Sequence, residues 1–231
     1  MMQKANTKHK INFRKWADGD KYGPYCVILR VPKSILFEKA TDAISTYLIA
    51  KLWLAILTRM DQPTSERKPC FLIMDEPHQF LGSARGGIKS TWGQMIVESR
   101  KWRLGLIFLI HDWLQMPREL RELIKSAGPH YSLYNTKKEI FKALEEEIKP
   151  FTPEEAVKLE SYHAINVVQY QGKKYKFLAK MAAPPVKIDK QKRWRHEYID
   201  RSKLTERCSR KFGRPIEVVE DDIYNRESIL Y

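Results

Sequence analysis

Residues 70–87 read CFLIMDEPHQFLGSARGG: five apolar residues run into the acids Asp75 and Glu76, then Pro77, His78 and a glycine-rich exit. Two adjacent carboxylates at the end of such a run suit the hydrolysis of a metal-bound phosphate. Asp75 would hold the water shell of Mg²⁺, and Glu76 would orient or deprotonate the attacking water. A stiff buried strand fixes the two carboxylates, and exclusion of water strengthens their effect. The same residues also fit a strand that ends at a solvated loop. A metal centre on Asp75, Glu76 and His78 is disfavoured, because Pro77 breaks any regular helical face and no second histidine has ligand spacing.

The elements that must position these side chains follow from apolar periodicity. Continuous apolar runs at 25–31 (YCVILRV), 70–74 (CFLIM) and 104–110 (LGLIFLI) predict buried strands, and HYSLYN at 130–135 predicts a further one. Helical spacing is expected over 39–60, with Ile44, Leu48, Leu52, Ala55 and Ile56 inward. It recurs over 90–103 with Trp92, Met95, Ile96 and Trp102, and over 117–126 and 137–148. Strands that are apolar throughout and alternate with amphipathic helices predict a parallel α/β sheet covered on both faces, with all strand C-termini on one edge. That edge would then receive Asp75 and Glu76 from one strand and His111 from the next. A short helix capped by Thr152 and a hairpin over 163–181, with Gly172 near its turn, close the pattern.

Among these elements, residues 71–81 and 98–135 (FLIMDEPHQFL and ESRKWRLGLIFLIHDWLQMPRELRELIKSAGPHYSLYN) resemble the C-terminal half of the HerA/FtsK superfamily of ring ATPases. They look most like the DNA-translocating ATPases of conjugation, type IV secretion and mobile elements. Asp75 and Glu76 match the Walker B acids, Arg100 and Lys101 the arginine turn, Gly105 the link, and Met116-Pro117 the start of the next helix. The resemblance covers about residues 25–185 and implies a three-layer P-loop NTPase sheet, incomplete at its N-terminal side. It also implies ATP and Mg²⁺ as cofactors, a hexameric ring around DNA, and a membrane-bound secretion or conjugation channel as a partner. By the same resemblance, His111 senses the γ-phosphate where the family has glutamine, and Arg100 reaches a neighbouring subunit's nucleotide. Arg100 and Arg103 read equally as solvated helix charges.

One part is missing. No G-x-x-x-x-G-K-[ST] loop occurs; the nearest string, GGIKST at 86–91, has Ile88 between glycine and lysine and follows the acid strand. It reads as a helix start capped by Ser90 or Thr91. The chain therefore reads as the Walker B and sensor portion of a motor whose phosphate-gripping half lies upstream or on another polypeptide. ATP hydrolysis by the chain alone is expected to be negligible. Helicase and transporter ATPases share an acid box, but here the next strand ends in LIHDW and no LSGGQ-like signature precedes Cys70.

Composition supplies the rival class. A net charge of +14 on 231 residues attracts polyanions. Residues 187–214 hold eleven Lys/Arg against four Asp/Glu, and DKQKRWRHEYIDRSK places Lys192, Arg193 and Arg195 among aromatic residues, as a contact to a DNA backbone would. A non-catalytic DNA-binding or assembly accessory, or a decayed remnant of such an ATPase, fits these features. Three organisational parts are expected: a basic segment at 1–24, the partial ATPase domain at 25–185, and a basic then acidic tail at 186–231. The last stretch, 217–231, is expected to be loosely held. The cysteines Cys26, Cys70 and Cys208 have no metal spacing and suit a reducing cytoplasm. The most apolar window, 47–57, is too short for a bilayer and carries Lys51, and the start has no secretory pattern. A cytoplasmic protein, at most at the inner face of the membrane, is the expectation.

Overall fold

The computed structural model describes residues 11–29, 31, 33–79, 90–182, 187–188, 194–195, 206 and 216–227. It divides into two compact units, residues 13–182 and a unit formed by 1–12 with 183–231. The first unit is mixed α/β. It opens with α1 (Phe13–Asp18) and α2 (Lys33–Leu57), which a 3₁₀ turn, Thr58–Asp61, extends. Then come β1 (Cys70–Asp75), α3 (Thr91–Glu98), a 3₁₀ turn at Ser99–Trp102, β2 (Leu104–Leu109) and α4 (Arg118–Ser126). The unit closes with β3 (Tyr131–Leu133), α5 (Lys138–Ala143), α6 (Glu145–Ile148), α7 (Pro153–Ala156), β4 (His163–Tyr170) and β5 (Lys173–Lys180).

β1 and β2 pair in parallel, with Cys70 opposite Leu104 and Asp75 opposite Leu109. The helix between them makes this a β-α-β unit, which parallel pairing requires. Alternation divides the two strands into faces. Leu72, Met74, Leu104, Leu106 and Phe108 join the core, where Trp92 of α3 meets Phe108 edge-on at 6.2 Å. The opposite face carries Phe71, Ile73, Ile107 and Leu109, each between 41% and 63% exposed. Gly105 lets the Phe71 ring lie across it; a Cβ there would come within 2.5 Å of that ring. A parallel pair is ordinarily covered on both faces, so this apolar face is bare for its type.

The strands expected at 25–31 and 130–135 do not join that sheet. Within 25–31, the described residues are coil, with Tyr25, Val27, Ile28 and Leu29 exposed. A tight turn pairs Asp20 with Gly23, and the Tyr25 hydroxyl donates to Asp20 Oδ2 at 2.6 Å, tying the start of this segment to its own turn. Strand propensity is realised only against a neighbouring strand. β3 instead pairs antiparallel with β4, which pairs with β5, in a three-stranded sheet. Among the described residues parallel pairing is confined to β1 and β2, and in this unit the expected parallel sheet is corrected to two small sheets of opposite kind.

The helices lie close to their expected places. Ser90 caps α3, its Oγ accepting from the Gly93 amide at 3.0 Å, so the end of GGIKST is a helix start; residues 86–89 of that string lie outside the described set. Thr152 caps α7 in a reciprocal capping box with Glu155. Trp53, Trp92, Trp102 and Trp113 are all buried. In α2 the buried stripe is rotated from the expected one: Thr41, Ser45, Ile49, Trp53 and Ile56 face inward, while Ile44 is exposed. Counting apolar residues alone overlooked the two hydroxyl positions. The helical stretch Phe37–Asp61 spans 25 residues and contains an 18-residue window of mean hydropathy 1.3, of which 28% is buried; it is long and apolar enough to cross a bilayer by length and composition. The 11-residue window taken from the sequence was only part of it. Core helices of soluble proteins meet the same criterion, and this one ends in the core at Trp53, Ile56 and Arg59.

Two buried arginines join the N-terminal helices to the approach of β2. The Arg59 side chain is fully buried: Nε and Nη2 meet Asp18 Oδ1 at 2.9 and 2.8 Å, Nη1 donates to the Trp102 carbonyl at 2.6 Å, and Nη2 to the Ala17 carbonyl at 3.0 Å. Arg67 donates to the carbonyls of Arg59, Gln62 and Lys101 and lies 4.7 Å from the Trp102 ring centre. Residues 13–18 therefore belong to this unit, not to a separate N-terminal segment. In the other unit, β6 (Lys187–Ile188) and β7 (Trp194–Arg195) pair antiparallel, with Lys187 opposite Arg195. The acidic end forms a helix, α8 (Ile216–Glu227).

Removing the Arg59 guanidinium leaves two carbonyls and Asp18 Oδ1 without it, while Arg14 still holds Oδ2; breaking a buried pair from one side is costly. Arg59→Met should lower unfolding free energy by about 3–5 kcal/mol, read from urea midpoints. A loss no larger than that of an exposed-lysine control would show that the network does not hold this corner.

Candidate functional site

The parallel register brings the expected residues to one edge. Asp75 is the last residue of β1 and is exposed. Glu76 continues the ladder by one bond, its amide donating to the Leu109 carbonyl at 3.0 Å. It then takes a left-handed backbone, φ 53°, which is uncommon for a residue with a Cβ. This turn leads into the short 3₁₀ element Pro77–Gln79.

The Glu76 carboxylate is held between two imidazoles. His111 Nδ1 lies 2.6 Å from Glu76 Oε1, and His78 Nε2 lies 3.3 Å from Oε2. The two rings meet edge-on, 5.7 Å between centres. A deprotonated carboxylate can only accept, so His111 Nδ1 carries the proton in this pair, and its Nε2 is left for a substrate or water. The His111 side chain is 63% exposed and that of Glu76 29%, so the dyad opens outward. His78 is mostly covered, and its Nδ1 is buried without a hydrogen-bond partner among the described residues. Next to His111, Asp112 accepts from the Leu114 amide at 2.9 Å and lies 3.8 Å from Lys137 Nζ.

Sequence reading weighed His78 only as a metal ligand and missed it as a partner of Glu76. The signal was its place two residues after the acid, with Pro77 turning the chain between them. Among the described residues, no three His, Cys, Asp or Glu side chains are arranged to hold a metal ion directly. A Mg²⁺ held through its water shell asks less of the protein, and the exposed Asp75 carboxylate fits that role. The described residues supply no phosphate-gripping loop beside it.

Arg100 is elsewhere. It is exposed on the 3₁₀ turn Ser99–Trp102, which leads into the N-terminal end of β2. The acids lie at the C-terminal ends, five steps along the strand, about 17 Å at the usual rise. Its side chain cannot reach Glu76 within one chain. Arg103, also left-handed at φ 53°, closes that turn and donates to the Arg67 carbonyl at 3.1 Å, a structural role. Lys192 and Arg193 lie outside the described residues, and Arg195 is placed only by its backbone pairing in β7. Cys70, at the inner start of β1, has its thiol pushed up by burial and acts as a core residue.

No protein-family model matches the chain, and no curated protein matches it. The functional reading therefore rests on residues and geometry.

Glu76→Ala should release His111. ¹⁵N-detected NMR of the neutral ring should show an Nδ1–H tautomer in the parent chain and a shift toward Nε2–H in the variant. The same tautomer in both proteins would mean that the pair does not form in solution.

Proposed function

We propose that this chain is the acid-bearing portion of a ring-forming, ATP-dependent DNA-translocating motor of the HerA/FtsK kind, acting in conjugative or mobile-element transfer. One observation carries the reading: parallel pairing of β1 with β2 sets Asp75 and Glu76 beside His111 at a common edge. Ligands bind at that edge in open α/β sheets.

In this reading Asp75 orders the water shell of Mg²⁺, and Glu76, steadied by His111 and His78, orients the attacking water. Bound ATP would supply the phosphoryl group; His111 Nε2 would donate to it when the ring is protonated, and when neutral it would accept only from a water or hydroxyl. Arg100 serves the adjoining subunit's nucleotide. The amides and lysine that grip phosphates come from a partner half, upstream or on another polypeptide. The bare face of Phe71, Ile73, Ile107 and Leu109 suits that half, because a three-layer P-loop sheet would cover it. A hexamer would pass DNA through a basic pore, docked on a channel at the inner face of the membrane.

The second reading, a DNA-binding accessory without catalysis, is favoured by one specific feature. Glu76 Oε1 is already hydrogen-bonded to His111 and Oε2 lies 3.3 Å from His78 Nε2, so a base in use would have to give up a histidine neighbour.

The two separate in one assay. The chain alone should show no ATP turnover above background. Mixed with a polypeptide that supplies a phosphate-loop half, it should turn over ATP, and Glu76→Gln in this chain should cut that rate by about 10²-fold or more. Turnover by the isolated chain that Glu76→Gln abolishes would refute the two-part motor. Reconstituted turnover indifferent to Glu76→Gln would favour the accessory.

A further inference from the structure

The β4–β5 hairpin carries a surface that the nucleotide reading does not use. Gln171 and Gly172 form its two-residue turn, both left-handed at φ 48° and 77°, the mirror-type turn that matches strand twist. The register then sorts side chains between faces. Ile165 and Val167 pack inward with Tyr131 and Leu133 of β3. The other face carries Val168 opposite Tyr175, Asn166 opposite Phe177, and Tyr170 opposite Lys173.

At Ala164 and Asn166, near the start of β4, that face is covered, with Ser132 Oγ donating to Asn166 Oδ1; toward the turn and along β5 it is open, where a sheet ordinarily presents polar residues. Here Tyr170, Tyr175 and Phe177 stand between 45% and 61% exposed, and none stacks on another ring among the described residues. Tyr175 and Phe177 are two residues apart on one strand, so their rings rise from points about 7 Å apart. Tyr170 lies diagonally across from Tyr175. The result is a row of three aromatic faces on a rigid sheet.

Charge identifies the occupant. Residues 163–180 contain Lys173, Lys174, Lys176 and Lys180 and no acidic residue, within a chain of net charge +14. Lys174 is paired with Glu147, and Lys176 donates to the Glu146 carbonyl; both belong to the inward set of positions. Lysines on an edge strand also discourage strand–strand association, which accounts for these two. Lys173 shares the aromatic face, and neither it nor Lys180 meets a carboxylate among the described residues. Aromatic rings that stack bases, beside cations that meet phosphates, are what binds an unpaired polynucleotide. A duplex keeps its bases stacked inside and offers nothing to these rings.

We infer that the outer face of β4–β5 is a stacking platform for a single-stranded nucleic acid, with Tyr170, Tyr175 and Phe177 taking bases and Lys173 a phosphate. The site is independent of the strand-tip carboxylates and stands with either reading of function.

The test uses the full chain and fluorescein-labelled 20-mers in anisotropy titrations at fixed salt: oligo-dT, oligo-U and a mixed-sequence duplex. The combined variant Tyr175→Ala/Phe177→Ala leaves net charge unchanged, so electrostatic attraction to the basic tail is held constant. It should weaken oligo-dT or oligo-U binding about tenfold or more while duplex binding changes little. Tyr175→Phe should keep the parent affinity, and Tyr170→Ala, beside the turn, should weaken binding on its own. Thermal melts confirm that each variant is folded. The ratio of dT to U affinity in the parent chain identifies DNA or RNA as the source of the strand. The proposal is overturned if folded Tyr175→Ala/Phe177→Ala and Tyr170→Ala both bind oligo-dT and oligo-U as the parent does, or if duplex binding falls equally. It is also overturned if the variants instead abolish self-association of the parent in sedimentation, which would make this face a contact between copies.

Discussion

Six consecutive pairs between Cys70–Asp75 and Leu104–Leu109, in parallel and in register, are the constraint on which the site depends. Side chains alternate along a strand, so a slip of one residue would reverse the faces of β1 against those of β2. Both faces are apolar, so what resists that slip is Asp75, which it would turn toward the core, and the Phe71 ring, which would lose its place over Gly105. Register and burial therefore act together. Asp75 ends opposite Leu109, Glu76 makes the last ladder bond, and the next side chains off β2 can reach across to it.

The buried arginines do the corresponding work at the other end of the strands. Arg59 and Arg67 donate to the carbonyls of Lys101 and Trp102 in the turn before β2, and to those of Ala17 in α1 and Gln62 after α2. In doing so they tie α1, the end of α2 and the entry of β2 into one block. A stiff base and an open, polar outer edge suit a site that must hold charges still while remaining accessible. The left-handed turn at Glu76 is consistent with this, since backbone strain persists only where the surroundings over-determine it.

Local chemistry made much of this legible in the sequence. Apolar runs ending in acids gave β1 and its edge; Ser90, Pro117 and Thr152 marked helix starts; and Gly172 marked the hairpin. Pairing was less legible, because YCVILRV and HYSLYN carry strand-like residues and nothing local states which neighbour they will find. The described part of the first found none and is coil, while the second supplied β3 to an antiparallel sheet. Arg59, Arg67 and His78 were missed for a related reason. Their roles come from partners 2 to 43 residues away, which no periodicity reveals. Arg100 was read either as a trans-acting arginine or as a solvated charge; it is exposed on its turn, and the parallel register puts it at the far rim from Glu76.

The central claim is that the edge bearing Asp75, Glu76 and His111 receives a metal–nucleotide complex, and paramagnetic relaxation tests it directly in the chain as it exists. With a Mn²⁺–nucleotide complex added at increasing concentration, the NMR signals of His111 and the Glu76 amide should broaden first, and Asp75→Asn should abolish the effect. Broadening confined to other parts of the chain, or unchanged by Asp75→Asn, would contradict the account.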